Sequence, residues 1–187
     1  FVNGTDGWAA WKTDAKPEGR STTGYYLRKL VDEAHNFTSI QASTQPWTEI
    51  RYAEVLLNHA EACYHLNGYT DKANKDIKDI RNRVGLSYTD KSGDDLMKAI
   101  RQERKVELAY EGHYYWDMRR WKFSATAFTG IRLHGMKIEQ NANGSFTYIY
   151  TQCDDKDRNF PTKMYRFPMP QAELDNNGAV TQYAEWQ

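Results

Sequence analysis

From Trp47 onward, apolar positions recur every three or four residues. Ile50, Ala53, Leu57, Ala60 and Tyr64 form one stripe, widened by Leu56, Cys63 and Leu66. That spacing predicts an amphipathic helix with Thr48 as its N-cap and Gly68 as its stop. A second helix is expected from Thr70, as N-cap, to Gly85, with Ala73, Ile77, Ile80 and Val84 inward. The short link through Asn67-Gly68-Tyr69 makes the two an antiparallel hairpin. Its order of small and large residues is close to the tetratricopeptide pattern, in which paired helices nest. A third helix is expected from about Asp94 to Tyr110. Ser92 or Asp94 caps it, Gly112 stops it, and Leu96, Ile100 and Leu108 point inward. A short fourth helix covers Tyr114 to Lys122.

After Gly130 the period shortens to two. Ile131-Arg132-Leu133-His134 alternates, and so does Ser145-Phe146-Thr147-Tyr148-Ile149-Tyr150, with Asn143-Gly144 before it as a turn signal. A small β-hairpin is expected from about Lys137 to Tyr150. Prolines extend Tyr165-Arg166-Phe167-Pro168-Met169-Pro170, and Gln171 to Asp175 starts a short last helix. Residues 1–48 are broken by Gly4, Gly7, Gly19, Gly24, Pro17 and Pro46, with Tyr25 to Leu30 as a short strand or helical turn. The class expected is mainly α: part of a tetratricopeptide-like α-α superhelix with long loops and a small β-hairpin near the C-terminus. Residues 1–48 form the loop-rich first segment, 49–122 the helical core, and 130–187 the hairpin and extended tail.

Composition narrows the function. The 25 basic and 25 acidic residues cancel, leaving no electrostatic footprint for nucleic acid or an anionic membrane. No apolar run approaches the roughly 18 residues of a membrane span. Cys63 and Cys153 read as two unpaired thiols. The 13 Tyr and 6 Trp stand out; rings beyond the needs of a core lie on binding surfaces.

The densest stretch is Glu103 to Trp121, where four acids, four arginines or lysines and five aromatics share nineteen positions. Glu103, Glu107 and Glu111 fall four apart on one helix face. Such acids suggest glycosidase chemistry. Arg101, Arg104, Arg119 and Arg120 lie close enough in sequence to neutralise them, and guanidinium groups lower carboxylate pKa values where a proton donor needs a raised one. The expected role is a structural network, Glu103, Glu107 and Glu111 held by Arg104, Arg119 and Arg120, locking the third helix to the fourth. His59 and Cys63 have metal-ligand spacing, but no further ligands follow, and no metal or cofactor is expected. His113 is a candidate general base without a flanking nucleophile. Sequons at Asn3, Asn36 and Asn143 sit in polar loops. The sharper candidates are Trp8, Trp11, Tyr25 and Trp47, whose flat rings can stack on sugars beside Asn3, Asp6 and Asp14.

These segments resemble the SusD/RagB family. Ile50-Arg51-Tyr52-Ala53-Glu54-Val55-Leu56-Leu57-Asn58-His59-Ala60-Glu61-Ala62 is similar to its "IRYAEVLLMYAEA" helix, and Ile80-Arg81-Asn82-Arg83-Val84-Gly85-Leu86 to its "vRxRAGL" segment. Glu103 to Trp121 resembles "ERxxELAxEGxRxxDLRRW", and Tyr165 to Leu174 resembles "yPIPxxEi". The order is right and the span is about residues 22 to 175, the C-terminal portion of such a protein. Tyr114 stands where the family often has arginine, and Val84 where it has alanine. The resemblance implies a non-enzymatic, lipid-anchored glycan-binding protein at the surface of the outer membrane. Its partners would be an oligosaccharide and a SusC-like TonB-dependent transporter, and its anchor would lie upstream of Phe1. Three competing readings are a tetratricopeptide-type protein-interaction module, a peptide-binding member of the family, and a helical hydrolase using the Glu103, Glu107 and Glu111 face.

Overall fold

The helical hairpin forms where the stripes meet. The computed structural model describes residues 10–11, 20–32 and 44–187. Helix α1 (Tyr52–His65) packs on α2 (Thr70–Asn82) and on α3 (Gly93–Glu107). Ala60, Cys63, Ala73, Ile77, Leu96, Met97 and Ile100 make one buried cluster, and Leu57, Ile80 and Leu108 a second. Burying each of the leucine, isoleucine and methionine side chains stabilises by about 1.5–3 kcal/mol. Asn74 ties the loop after α2 to this core. It accepts from the Tyr88 hydroxyl at 2.9 Å and the Lys91 amide at 3.0 Å, and donates to the Lys91 carbonyl at 2.9 Å.

Several helix ends differ from the expected ones, because tertiary contacts set them. α1 begins at Tyr52 rather than after Thr48. Arg51 precedes it in extended conformation, with no side-chain cap. Thr70 is the first residue of α2, not its cap, which is Tyr69. Ser92 does stand at the cap of α3, and that helix stops at Glu107 rather than Tyr110. Ile50, Leu66 and Val84 lie outside the regular helices and are exposed, so they leave the predicted core. Gly112 takes φ +83°, a left-handed conformation that any side chain would strain, and α4 (His113–Arg120) follows.

The described residues divide into two compact units, Lys29–Met118 and the remainder, with the division falling inside α4. The second unit holds a two-residue parallel pair, β1 (Ala10–Trp11) with β2 (Arg20–Ser21), that the sequence pattern does not reveal. Tyr25 to Leu30 is neither strand nor helix. A short α5 (Ser124–Ala127) precedes the expected hairpin, which is longer than predicted. Its strands β3 (His134–Gln140) and β4 (Phe146–Gln152) pair from His134↔Gln152 to Gln140↔Phe146. Ile131 makes only an isolated bridge with Arg158. Arg119 organises the tail. It donates to the carbonyls of Met164 and Tyr165 and lies over the Phe167 ring at 4.5 Å. α6 (Gln171–Asn176) forms much as predicted, and a 3-10 turn at Ala184–Trp186 follows it. The expected class holds: mainly helical, with a tetratricopeptide-like hairpin and one small antiparallel sheet.

Candidate functional site

Arg51 is the centre of the site. The residue stands extended just before α1, so its guanidinium reaches the far end of α3. There Nε donates to Glu111 Oε2 at 2.6 Å, Nη1 to Glu107 Oε1 at 2.7 Å and Nη2 to the Glu107 carbonyl at 2.5 Å. Lys29 approaches the same helix end. Its ammonium donates to the carbonyls of Glu107 at 2.7 Å and Ala109 at 3.0 Å and pairs with Glu111. Carbonyls at a helix C-terminus have no intrahelical donors and sit at the negative end of the dipole, so two cations there satisfy both needs. Arg83, past the end of α2, adds a bond to Glu107 Oε1 at 2.8 Å. Arg81 on α2 holds Glu103 at 2.8 Å.

The acids expected to form a structural network are therefore paired, but by cations other than the predicted ones. The network joins the start of α1 and the end of α2 to α3, rather than α3 to α4. Arg104 does link α3 to α4. It is buried and donates to both oxygens of Asp117 at 2.8 and 3.1 Å, and to Asn58 at 2.6 Å. Arg119 serves the tail, and Arg120 is exposed and lies over the Trp121 ring.

Above this floor is a cleft of about 370 Å³, lined by Lys29, Leu30, Trp47, Thr48, Arg51, Arg83, Val106, Glu107 and Glu111. Its size is at the small end for ligand sites. Trp47 is 64% exposed and Val106 61%, so apolar surface flanks fixed charges. Leu30 lines the cleft at φ +67°, a conformation costly for a branched side chain. The electrostatics follow from the pairing. Burial by itself raises the Glu111 carboxyl, but Arg51 and Lys29 outweigh it and hold the group below its ordinary value. Burial works against the Arg51 charge, and Glu111 and Glu107 overcome it, so its pKa lies above the usual one. These groups are permanent charges near neutrality, suited to hydrogen bonding and not to proton transfer.

Of the predicted ligand-binding residues, Trp47 lies on the cleft. Tyr25 is 57% exposed in the other unit. Trp11 falls in β1, and Trp8 lies outside the described residues. Lys29, Arg51 and Arg83 were missed, although Arg51 stands in the Ile50-Arg51-Tyr52 motif and Arg83 in Arg81-Asn82-Arg83. The remaining candidates are local. His59 Nδ1 bonds Asp76 Oδ2 at 2.6 Å, and its Nε2 lies 3.3 Å from Cys63 Sγ. Among the described residues no three His, Cys, Asp or Glu side chains are grouped to hold a metal. His113 faces Glu54 at 3.6 Å. Asn143 sits in the hairpin turn, where its side chain accepts from the Ser145 amide and hydroxyl; Asn3 and Asn36 lie outside the described residues.

The model of the SusD family matches residues 1–186. The chain belongs to the SusD family. SusD-like protein P2 of Formosa agariphila is 28% identical over 116 residues, covering 57% of this chain and 22% of that protein. Among solved structures, the protein named BT4246 superposes with a TM-score of 0.70 at 26% identity, covering 89% of this chain and 30% of that one. The SusD-like carbohydrate-binding protein BF0978 of Bacteroides fragilis gives 0.61 at 25% identity, over 87% of this chain and 34% of that one. This SusD-family chain thus spans about a fifth to a third of the relatives' length. Among the described residues no helix is long and apolar enough to cross a membrane.

Proposed function

We propose that this chain is part of a non-enzymatic surface protein that binds a glycan and delivers it to a SusC-like TonB-dependent transporter in the outer membrane. A lipid anchor elsewhere in the protein would hold it there. Membership of the SusD family and the likeness to a carbohydrate-binding protein support the reading. The observation that carries it is the exposed Trp47 ring at the edge of a cleft whose charged groups are already locked in place. A flat ring takes the apolar face of a sugar, and pre-oriented donors and acceptors take its hydroxyls without first being ordered. A glycosidase needs one carboxyl kept protonated near neutrality. Glu111 is pushed the other way and Glu107 accepts from two arginines. Tyr25, Trp11 and Trp8 remain proposed sugar contacts in addition to Trp47.

Calorimetry and affinity electrophoresis of the full-length protein against a polysaccharide panel test this. We expect binding to at least one polysaccharide, no release of reducing sugar, and about a tenfold weaker affinity for Trp47→Ala. Absence of binding across the panel, with partner capture that no glycan competes, would replace it with the protein-interaction reading.

A further inference from the structure

The hairpin presents a second surface. Residues opposed across an antiparallel pair point to the same side. The register therefore puts His134, Met136, Ile138 and Gln140 of β3 on one side with Gln152, Tyr150, Tyr148 and Phe146 of β4. The reverse side is partly covered. There Gly135 is buried against Thr23, whose carbonyl accepts from the Met136 amide at 2.8 Å, and a Cβ at Gly135 would meet that oxygen at 2.2 Å. The first side is open: Tyr150 is 71% exposed, Tyr148 64%, Ile138 52% and Phe146 43%. The His134 ring stacks flat on Tyr150, with centroids 4.7 Å apart and planes 7° apart. This side carries no formally charged residue in a chain that is 27% charged. Lys137 and Glu139 stand on the reverse, paired with one another.

We propose that this aromatic side of β3–β4 is a second glycan-contact surface, which takes a neutral oligosaccharide laid along β4. The proposal rests on the glycan-binding reading and adds a place and a ligand class to it. Three arguments select the occupant. Phe146, Tyr148 and Tyr150 are spaced two residues apart, so their span is roughly 14 Å, suited to an extended chain rather than a single sugar. A carboxylate or sulfate would lose water here and meet no lysine or arginine on this side of the two strands, so charged glycans are disfavoured. The face measures only about 24 by 10 Å, well under the roughly 800 Å² per partner of a stable protein interface. Exposed rings are costly in water, and this arrangement lets several serve one ligand at once.

The test is calorimetry on the full-length protein with amylopectin, xylan, laminarin and galactomannan as neutral probes and polygalacturonan as the charged one. Tyr148→Ala alone, and with Tyr150→Ala, should weaken binding of the preferred neutral glycan about tenfold or more with unchanged circular dichroism. Ile149→Ala, on the reverse side, should leave affinity alone. Unchanged affinity in both tyrosine variants, while Trp47→Ala weakens binding, overturns this surface and leaves the glycan reading standing. Wild-type protein that binds none of the probes overturns both. Preference for polygalacturonan also overturns the inference, as does loss of transporter co-purification at unchanged glycan affinity.

Discussion

Asp117→Asn asks whether the Arg104 pair is sealed from water. Both residues are 4% exposed, and Arg104 forks onto the two carboxylate oxygens while its third nitrogen reaches Asn58. An ion pair in solvent contributes about 0–1 kcal/mol, because water replaces either partner. Here water cannot. Removing one charge strands the other in a low-dielectric site, at about 3–5 kcal/mol. Asparagine keeps the shape and one acceptor oxygen, so the cost belongs at the lower end, about 3 kcal/mol, or roughly 6–12 °C of melting temperature for a chain of this size. Urea titration at neutral pH, followed by circular dichroism, measures it, provided the slope with denaturant stays constant. Lys75→Ala, which breaks a pair at an exposed α2 site, should change stability by no more than about 0.5 kcal/mol. The double variant Arg104→Met, Asp117→Leu removes both charges at similar volume and should recover most of the loss. A single-variant loss under about 1 kcal/mol would mean that solvent reaches Arg104 and would refute the reasoning. A double variant as unstable as the single would show that the pair acts by geometry and not by charge.

Two acids should give opposite pH slopes. Glu111 is held below its ordinary value by Arg51 and Lys29 against burial; its contribution is full above the unfolded pKa and lost as pH falls through the folded one. Glu111→Gln should therefore cost stability at neutral pH and progressively less in acid, read by urea melts across that range. Asp76 is pushed up, first by burial, with the His59 bond opposing. Its contribution is present below the unfolded pKa and lost as pH rises through the folded one. Asp76→Asn should then gain on wild type as pH rises from acid toward neutral, and a slope of the other sign refutes it. Gly135→Ala should cost about 1–3 kcal/mol by overpacking against the Thr23 peptide. Gly178→Ala, with open space around it, should be near neutral in the same thermal melt.

The faces of the helices were legible because burial follows their period. Ala73, Ile77, Ile80, Leu96 and Ile100 are all buried where the spacing put them. Most helix ends were not, because no side-chain cap bond sets them, although Ser92 stands at the cap of α3 as expected. α1 starts where Arg51 is pulled straight by two acids that lie 56 and 60 residues away. The same distance hid the network. Its acids announce themselves by sharing a helix face, while Lys29, Arg51, Arg81 and Arg83 come from other segments. Nearby arginines were the natural guess, yet Arg104 points to α4 and Asn58, and Arg119 to the tail. The hairpin was legible from Asn143-Gly144 and the alternation after it. The two-residue β1–β2 pair was not, since a run so short has no period.

The family and the ligand are written in different kinds of position. Glu107 accepts from two other segments, so changing it removes one bond from Arg51, which keeps Glu111, and the carboxylate partner of Arg83; each residue of this clamp is constrained by several others. Tyr148 and Tyr150 are mostly in water and support no core. Replacing them costs the fold little, so nothing in the packing specifies them. This explains why the Glu103 to Trp121 stretch resembles a family so well while naming no sugar. It also turns exposure into an argument for function. Strand positions that stability leaves free accept any residue that suits a pleated surface, including threonine or charged side chains that stay hydrated. Four exposed apolar or aromatic residues on one uncharged side, with charges confined to the other, are not what solubility alone would select. What they contact, rather than what they stabilise, accounts for them.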